Sequence, residues 1–364
     1  MSKPSPLPGI MDVNPYVGGV HHVEGHEHPV ILSANETPLG PSKAAVKAYE
    51  KVAGELHRYP DGGSDELRAA IAERFGCAAD RIVCGTGSDE VITLMIRAYA
   101  GPGDEVVHSA HGFLMYAIAA RAAGATPVSA PEANFTVDVD AMLAAVTDRT
   151  KMMLIANPNN PTGSYVSADE LRRLQAGLPE HVVLVIDAAY AEYVTRNDYT
   201  AGADMVEEFD NVVMTRTFSK IFGLAAVRLG WAYCPAPIAD VLNRARNPFN
   251  VTSAAQAAGI AALGDIAHID RGREHNDIWL PWLTGELNRL GLTVHPSVGN
   301  FVMVRFRDAD AANAAYAALL AGGFITRLIG GYGLPDCLRI TVGREEELRP
   351  LGARRETPLA KAAS

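Results

Sequence analysis

Between residues 81 and 234 short, nearly continuous apolar runs alternate with stretches of helical period. The strand candidates are 81–84, 105–108, 126–129, 152–156, 182–187, 212–217 and 229–234. Helices are expected at 44–53, 114–123, 138–146, 168–176 and 238–246. A strand that is apolar at successive positions is buried on both faces, so the pattern predicts an α/β fold: a mostly parallel sheet with helices on both sides. Ligands of such sheets bind beyond the carboxyl ends of the strands. Asn160, Asp187, Tyr190 and Lys220 all follow strand candidates. The pattern does not carry the strand order.

The chain has 364 residues, more than one core usually covers. Past residue 250 a helical stretch runs to about 290, with Pro281 expected to kink or break it. One strand at 293–306, a helix at 309–320 and strands at 324–328 and 338–342 then form a smaller α+β unit. We therefore expect an arm at 1–40 packing with the small domain or a partner subunit, a large domain at 41–290, and a small domain at 291–364. No low-complexity linker separates the two, which predicts an extensive interface.

The formal net charge is −10, from 32 basic and 42 acidic residues, with no basic run. Nucleic acid and anionic membrane are disfavoured as partners, and an anionic substrate must be held by local arginines. Cys77, Cys84, Cys234 and Cys337 are scattered, which indicates neither a disulfide framework nor a zinc site and fits a reducing cytoplasm. The first residues lack an apolar leader core, and no apolar run reaches spanning length. His21, His22, His26 and His28 do not share one helical face, so no metal is assigned.

Chemistry concentrates in Thr215–Trp231, TRTFSKIFGLAAVRLGW. A lysine beside other cations, or partly desolvated, has a lowered pKa and can attack an aldehyde. Hydroxyls at Thr217 and Ser219 with the Arg228 guanidinium would hold a phosphate dianion. An aldehyde and a phosphate on one molecule describe pyridoxal phosphate (PLP). An isolated S-x-K pair is better read as a strand end before a solvated lysine; other segments supply the missing partners here. The order strand, GTGSDE, helix puts the amides of Gly87, Ser88 and Asp89 at a helix N-terminus, where a phosphate could sit. Upstream, Asp61-Gly62-Gly63 reads as a turn and Ser64 as the cap of a helix with Leu67, Ile71 and Phe75 on one face.

The segments NPYVGG, NETPLGP, RYPDGG, GSDE, PGDEV, NPNNPTG, DAAYAEY, TFSKIFGLAAVRLG, VGNF and LRITVG occur in this order along nearly the whole chain. With them the chain resembles the fold-type I PLP-dependent aminotransferases, and among these the histidinol-phosphate aminotransferase family. The resemblance implies that Lys220 holds the cofactor and moves the proton. Asp187 would pair with the pyridinium nitrogen, and Tyr190 and Asn160 would bind the ring's phenolic oxygen. Tyr116 would stack on the ring, and Gly87, Ser88, Asp89, Thr217, Ser219 and Arg228 would form the phosphate cup. Tyr59 would reach the phosphate of a neighbouring subunit, implying a homodimer with shared sites. Arg339 would grip a substrate carboxylate, Arg327 and Tyr16 a substrate phosphate, and Asn35 would join the substrate site.

Three positions depart from the family pattern: Thr86 where many relatives carry Asn, Ala188 in place of an acidic residue, and Pro350 and Pro358 in the expected terminal helix. The implied activity is transfer of the amino group of L-histidinol phosphate to 2-oxoglutarate in histidine biosynthesis. The alternatives are an aromatic amino-acid transaminase, a PLP-dependent decarboxylase of a phosphorylated amino acid, and a non-catalytic PLP-sensing regulatory domain. Arg327 argues against the first, and the absence of a helix-turn-helix segment or long linker ranks the last lowest.

Overall fold

The computed structural model describes residues 4–6, 9–13 and 18–352. Its centre is a seven-stranded sheet in the order Ile82–Gly85, Gly230–Tyr233, Val212–Thr217, Val183–Asp187, Thr150–Ala156, Glu105–Ser109, Thr126–Ala130. Gly230–Tyr233 runs antiparallel to both neighbours, and every other pair is parallel. The continuous apolar runs follow from a core on each face. Met153, Ile155, Leu184 and Ile186 face one layer, while Met152, Leu154, Val183 and Val185 face the other. Each fully buried side chain of this size contributes roughly 1.5–3 kcal/mol, so a polar residue at any of these positions would be costly.

Helices Asp65–Phe75 and Ser253–Gly264 cover the first face through Leu67, Ile71, Ala255 and Ala258. Helices Ser88–Tyr99 and Met115–Ala122 cover the second through Val91, Met95, Ala119 and Ala120. Side-chain caps fix several starts: Ser42, Ser167 and Thr252 each accept a hydrogen bond from the amide three residues on. Ser64 does not cap its helix. It sits in the left-handed region without a side-chain cap, and Asp61 instead accepts from the amides of Gly63 (2.9 Å) and Asp65 (2.6 Å).

The smaller sheet is antiparallel, in the order Thr293–His295, Phe301–Arg305, Cys337–Thr341, Arg327–Leu328. Two expected strands are divided. The run 293–306 folds back on itself as a hairpin around Pro296 and Gly299, where a Cβ would come within 2.9 Å of the Phe301 ring. The run 324–328 changes partners at Thr326: Phe324–Ile325 pairs in parallel with Val30–Ile31 of the arm, and Arg327–Leu328 pairs with Cys337–Thr341. Leu32 of the arm lies inside the small-domain core. Pro281 does not break its helix, which runs through it as Ile266–Arg289. Ile269 packs on the large-domain core and Trp279, Leu283 and Leu287 on the small one, so one helix ties the two together. The last helix, Glu345–Gly352, contains Pro350; Pro358 lies outside the described residues. Among the described residues no helix is long and apolar enough to cross a membrane.

Candidate active site

A cavity of about 270 Å³ lies where the carboxyl ends of the central strands meet the arm and the small domain. Lys220, Asp187, Tyr190, Asn160, Ser88, Asp89, Thr217, Ser219, Arg228, Arg327, Arg339 and Asn35 all line it.

Asp187 ends a buried strand and is 5% exposed. The Tyr116 hydroxyl donates to its Oδ2 at 2.8 Å, and the Thr215 hydroxyl to Oδ1 at 3.1 Å. Burial nevertheless pushes its pKa up to about 6, because no described cation pairs with it. Lys220 Nζ donates to the Ala34 carbonyl at 3.0 Å and lies 5.5 Å from the centre of the Tyr190 ring. Burial, then the charge of Arg339, brings the lysine down to about 8, so the uncharged amine, scarce for an ordinary lysine near neutrality, is readily reached just above it. Tyr190 is buried, with Asn35 Nδ2 donating to its hydroxyl at 2.9 Å and the Phe301 ring against its edge.

One corner gathers donors for an anion. Gly87, at φ +89°, precedes the helix Ser88–Tyr99, and a Cβ there would stand 2.6 Å from Arg228 Nη2. Glycine is therefore required for the guanidinium to approach the helix end. Arg228 itself adopts a left-handed backbone (φ 56°) and pairs with Asp89 at 3.1 Å. The Thr217 hydroxyl donates to Ser219 Oγ at 3.0 Å and accepts the Ser219 amide at 3.1 Å, which holds both hydroxyls in the same corner.

The small domain supplies two guanidiniums. Arg339 is 6% exposed, donates to Asn160 Oδ1 and the Ser33 carbonyl, and leaves Nε without a partner. No carboxylate among the described residues pairs with it. Its Asn160 contact uses that carboxamide's oxygen and leaves the Nδ2 donor for the cavity. Arg327 stands directly opposite Arg339 in the strand register. Like charges facing across a sheet destabilise it, so the pair suits an anion held between them.

Several expectations are corrected or displaced. Tyr116 does not face the cavity: its ring is buried at 1% exposure and its hydroxyl is spent on Asp187. Phe113, in the loop before helix Met115–Ala122, lines the cavity instead. HGFLMY holds two aromatics, and the one outside the helix is free to reach the ligand. Asn35 lines the cavity, but its Nδ2 goes to Tyr190 and its Oδ1 accepts from Thr341 at 3.2 Å, so it positions Tyr190. Tyr59 is 83% exposed, stacks on Phe249 at 4.7 Å, and does not line the cavity of its own chain. Tyr16 lies outside the described residues. Thr86 is turned away from the cavity: its amide (2.6 Å) and hydroxyl (3.0 Å) donate to Glu90, which also accepts from Asn250 at 2.9 Å. Sequence reasoning missed Glu90, although an acidic residue at the third helical position that reaches back to the turn is the pattern of a capping box.

This site tests favourably against PLP. A buried carboxylate with a raised pKa suits a protonated ring nitrogen, and a depressed lysine suits an aldehyde. The glycine-lined corner with hydroxyls, a guanidinium and a helix end suits a phosphate. The aminotransferase class I and II family model matches residues 27–354, and the chain belongs to that family, with its fold-type I architecture. The histidinol-phosphate aminotransferase of Paramagnetospirillum magneticum is 60% identical over 95% of this chain and 96% of its own length. That of Rhodospirillum centenum is 59% identical over 96% of both. Among solved structures, the histidinol-phosphate aminotransferase of Sinorhizobium meliloti in complex with pyridoxal-5'-phosphate superimposes with a TM-score of 0.88. It is 29% identical, and the match covers 93% of each chain.

Proposed function

We propose that this enzyme is a PLP-dependent transaminase that moves the amino group of L-histidinol phosphate to 2-oxoglutarate, yielding imidazole-acetol phosphate and glutamate for histidine biosynthesis. The observation that carries this reading is the facing pair Arg327 and Arg339 beside Lys220 and Asp187 in one cavity. When bound, PLP supplies an electron sink for the bond to the substrate's α-hydrogen. The protein's own groups do the rest. Asp187 keeps the ring nitrogen protonated. The hydroxyl of Tyr190 and the Nδ2 of Asn160 would hold the ring's phenolic oxygen, and Phe113 would supply an apolar wall. Thr217, Ser219, Arg228 and the amides of Ser88 and Asp89 would hold its phosphate, whereas the Gly87 amide donates to the Gly85 carbonyl at 2.9 Å. Lys220, set near pKa 8, takes and returns the proton as base and acid. Arg339 and Arg327 bind the donor phosphate in one half-reaction and a carboxylate of glutamate in the other.

Profiling amino donors against 2-oxoglutarate tests this reading, with histidinol phosphate expected to exceed both histidinol and phenylalanine in kcat/KM. Equal use of phenylalanine would favour the aromatic transaminase, and carbon dioxide release the decarboxylase. The exposed Tyr59–Phe249 stack supports a homodimer in which Tyr59 completes the neighbour's phosphate cup. Mixing inactive Lys220→Ala protein with an inactive Tyr59→Phe, Arg228→Ala protein should then restore activity through hybrid sites. Verified heterodimers without recovery would contradict sharing. We place the enzyme in the cytoplasm, in keeping with four free cysteines.

A further inference from the structure

The charged groups of the cavity fall into assigned roles, with one remainder. Asp89 is paired with Arg228, and Asp187 faces the cofactor position with Tyr116 and Thr215 behind it. Arg339 and Arg327 form the anion site. Glu36 also lines the cavity, and its carboxylate has no hydrogen-bond or ion-pair partner among the described residues. Its charge is felt at Lys220, where it favours the ammonium form. The segment that carries it is held in place by the small domain. Asn300 Nδ2 donates to the carbonyls of Asn35 (3.0 Å) and Glu36 (3.3 Å). The Asn35 amide donates to Thr341 Oγ1 at 3.0 Å, and Arg344 Nε to the Pro38 carbonyl at 2.8 Å. Glu36 is thus an exposed carboxylate on a fixed backbone, in a cavity otherwise rich in cations.

We propose that Glu36 determines the choice of amino donor by accepting the ring N–H of the imidazole. The inference rests on the preceding reading, in which the donor's amine meets Lys220 and its phosphate the arginine pair. The imidazole is the third polar part of that donor, and its N–H needs an acceptor once water is displaced. A carboxylate is the strongest acceptor a protein can offer and also tolerates the protonated ring. A phenyl ring in the same place has no N–H to offer, so Glu36 gains nothing from it and loses water. Glutamate, the amino acid of the second half-reaction, carries a carboxylate in place of the ring. Glu36 therefore favours one half-reaction and opposes the other through the same charge.

That opposition is what the experiment reads. Single-turnover reactions of PLP-loaded wild type, Glu36→Gln and Glu36→Ala are followed by cofactor absorbance. The donors are histidinol phosphate, its analogue with phenyl in place of imidazole (2-amino-3-phenylpropyl phosphate), and glutamate. For histidinol phosphate the apparent second-order constant should fall roughly ten- to a hundredfold in Glu36→Ala, the range for a hydrogen bond to a charged group, and by less in Glu36→Gln, whose amide oxygen still accepts. The constant for the phenyl analogue should stay unchanged, and that for glutamate should rise. Tm, read separately, should not move, because the side chain is exposed and has no partner among the described residues. Losses of equal size for both phosphate donors, or a histidinol-phosphate rate untouched by either variant, would overturn the role of Glu36 and leave the transaminase reading standing. A wild type inert towards histidinol phosphate would overturn both.

Discussion

The two ends of the cavity are built from different parts of the chain and solve opposite electrostatic problems. The cofactor end belongs to one sheet and the loops that leave it. Asp187, Thr215, Thr217 and Lys220 come from adjacent parallel strands or the turn just beyond them, and Tyr116 supports them from a helix on the same sheet. The substrate end is a junction. Arg339 comes from the small domain, donates to Ser33 of the arm, and donates to Asn160 of the large domain. One end has a buried carboxylate waiting for a cation, and the other a buried guanidinium waiting for an anion. The comparison teaches that a permanent guest can be held by a single rigid element. A guest that must enter and leave is held where three segments meet.

The largest effects should come from breaking the junction end. Arg339→Ala removes a desolvated partner of an anion, which typically costs on the order of 2–5 kcal/mol, and should impair the glutamate half-reaction most. Arg327→Ala should instead lower kcat/KM for histidinol phosphate far more than for phenylalanine. Rapid mixing that follows each half-reaction separately distinguishes the two, and equal losses for phosphorylated and unphosphorylated donors would remove Arg327 from the phosphate site.

Asp187→Asn sharpens the opposite end, where cofactor binding and stability should move in opposite directions. Burial raises the carboxyl of the cofactor-free protein from 3.8 to about 6. A raised value means that its contribution is fully present below 3.8 and lost as pH climbs through about 6. The loss is on the order of 3 kcal/mol from a shift of about two units. Cofactor-free Asp187→Asn protein should therefore melt higher than the parent at neutral pH and alike in acid, while binding PLP more weakly. Denaturation scans across pH with and without PLP check both signs.

Two smaller effects probe how finely the cofactor end is set. Lys220 must lose its proton before it can attack the cofactor aldehyde, so reconstitution of the cofactor-free protein should quicken with pH and level off above about 8. Glu90→Ala strips the Thr86 amide and hydroxyl of their acceptor. A lower Tm and somewhat weaker PLP binding are expected, because the turn before the phosphate corner loses a half-buried acceptor. Glu90→Gln should recover part of both. Thermal melts and titration by cofactor absorbance measure both variants.

The contrast between the two ends also decided what could be read from the chain. The sheet was legible because its central strands are buried on both faces, and Val212–Thr217 has the bounds its residues predict. The small domain was less so. Its short strands change partners at Thr326 and fold back at Gly299, and those are matters of pairing that residue type does not encode. Lys220 and Asp187 were legible because their chemistry is rare beside an apolar strand. Tyr116 and Phe113 are hard to tell apart in sequence because both are aromatic and three residues apart; Phe113 lines the cavity and Tyr116 bonds Asp187. Only the start of the helix, at Met115, decides which one sees the cavity. Glu36 and Glu90 look like ordinary acidic residues in sequence. What distinguishes them is the absence of a partner among the described residues in one case and three donors in the other.

The central claim is that one lysine at the end of the sheet carries the cofactor. Borohydride reduction of the PLP-loaded protein, followed by proteolysis and mass mapping, tests it most directly. The account predicts a single pyridoxyl adduct, on Lys220 within the peptide TFSK, and none in Lys220→Ala protein treated alike. An adduct on another lysine, or loaded protein in which Lys220 remains unmodified, would contradict it.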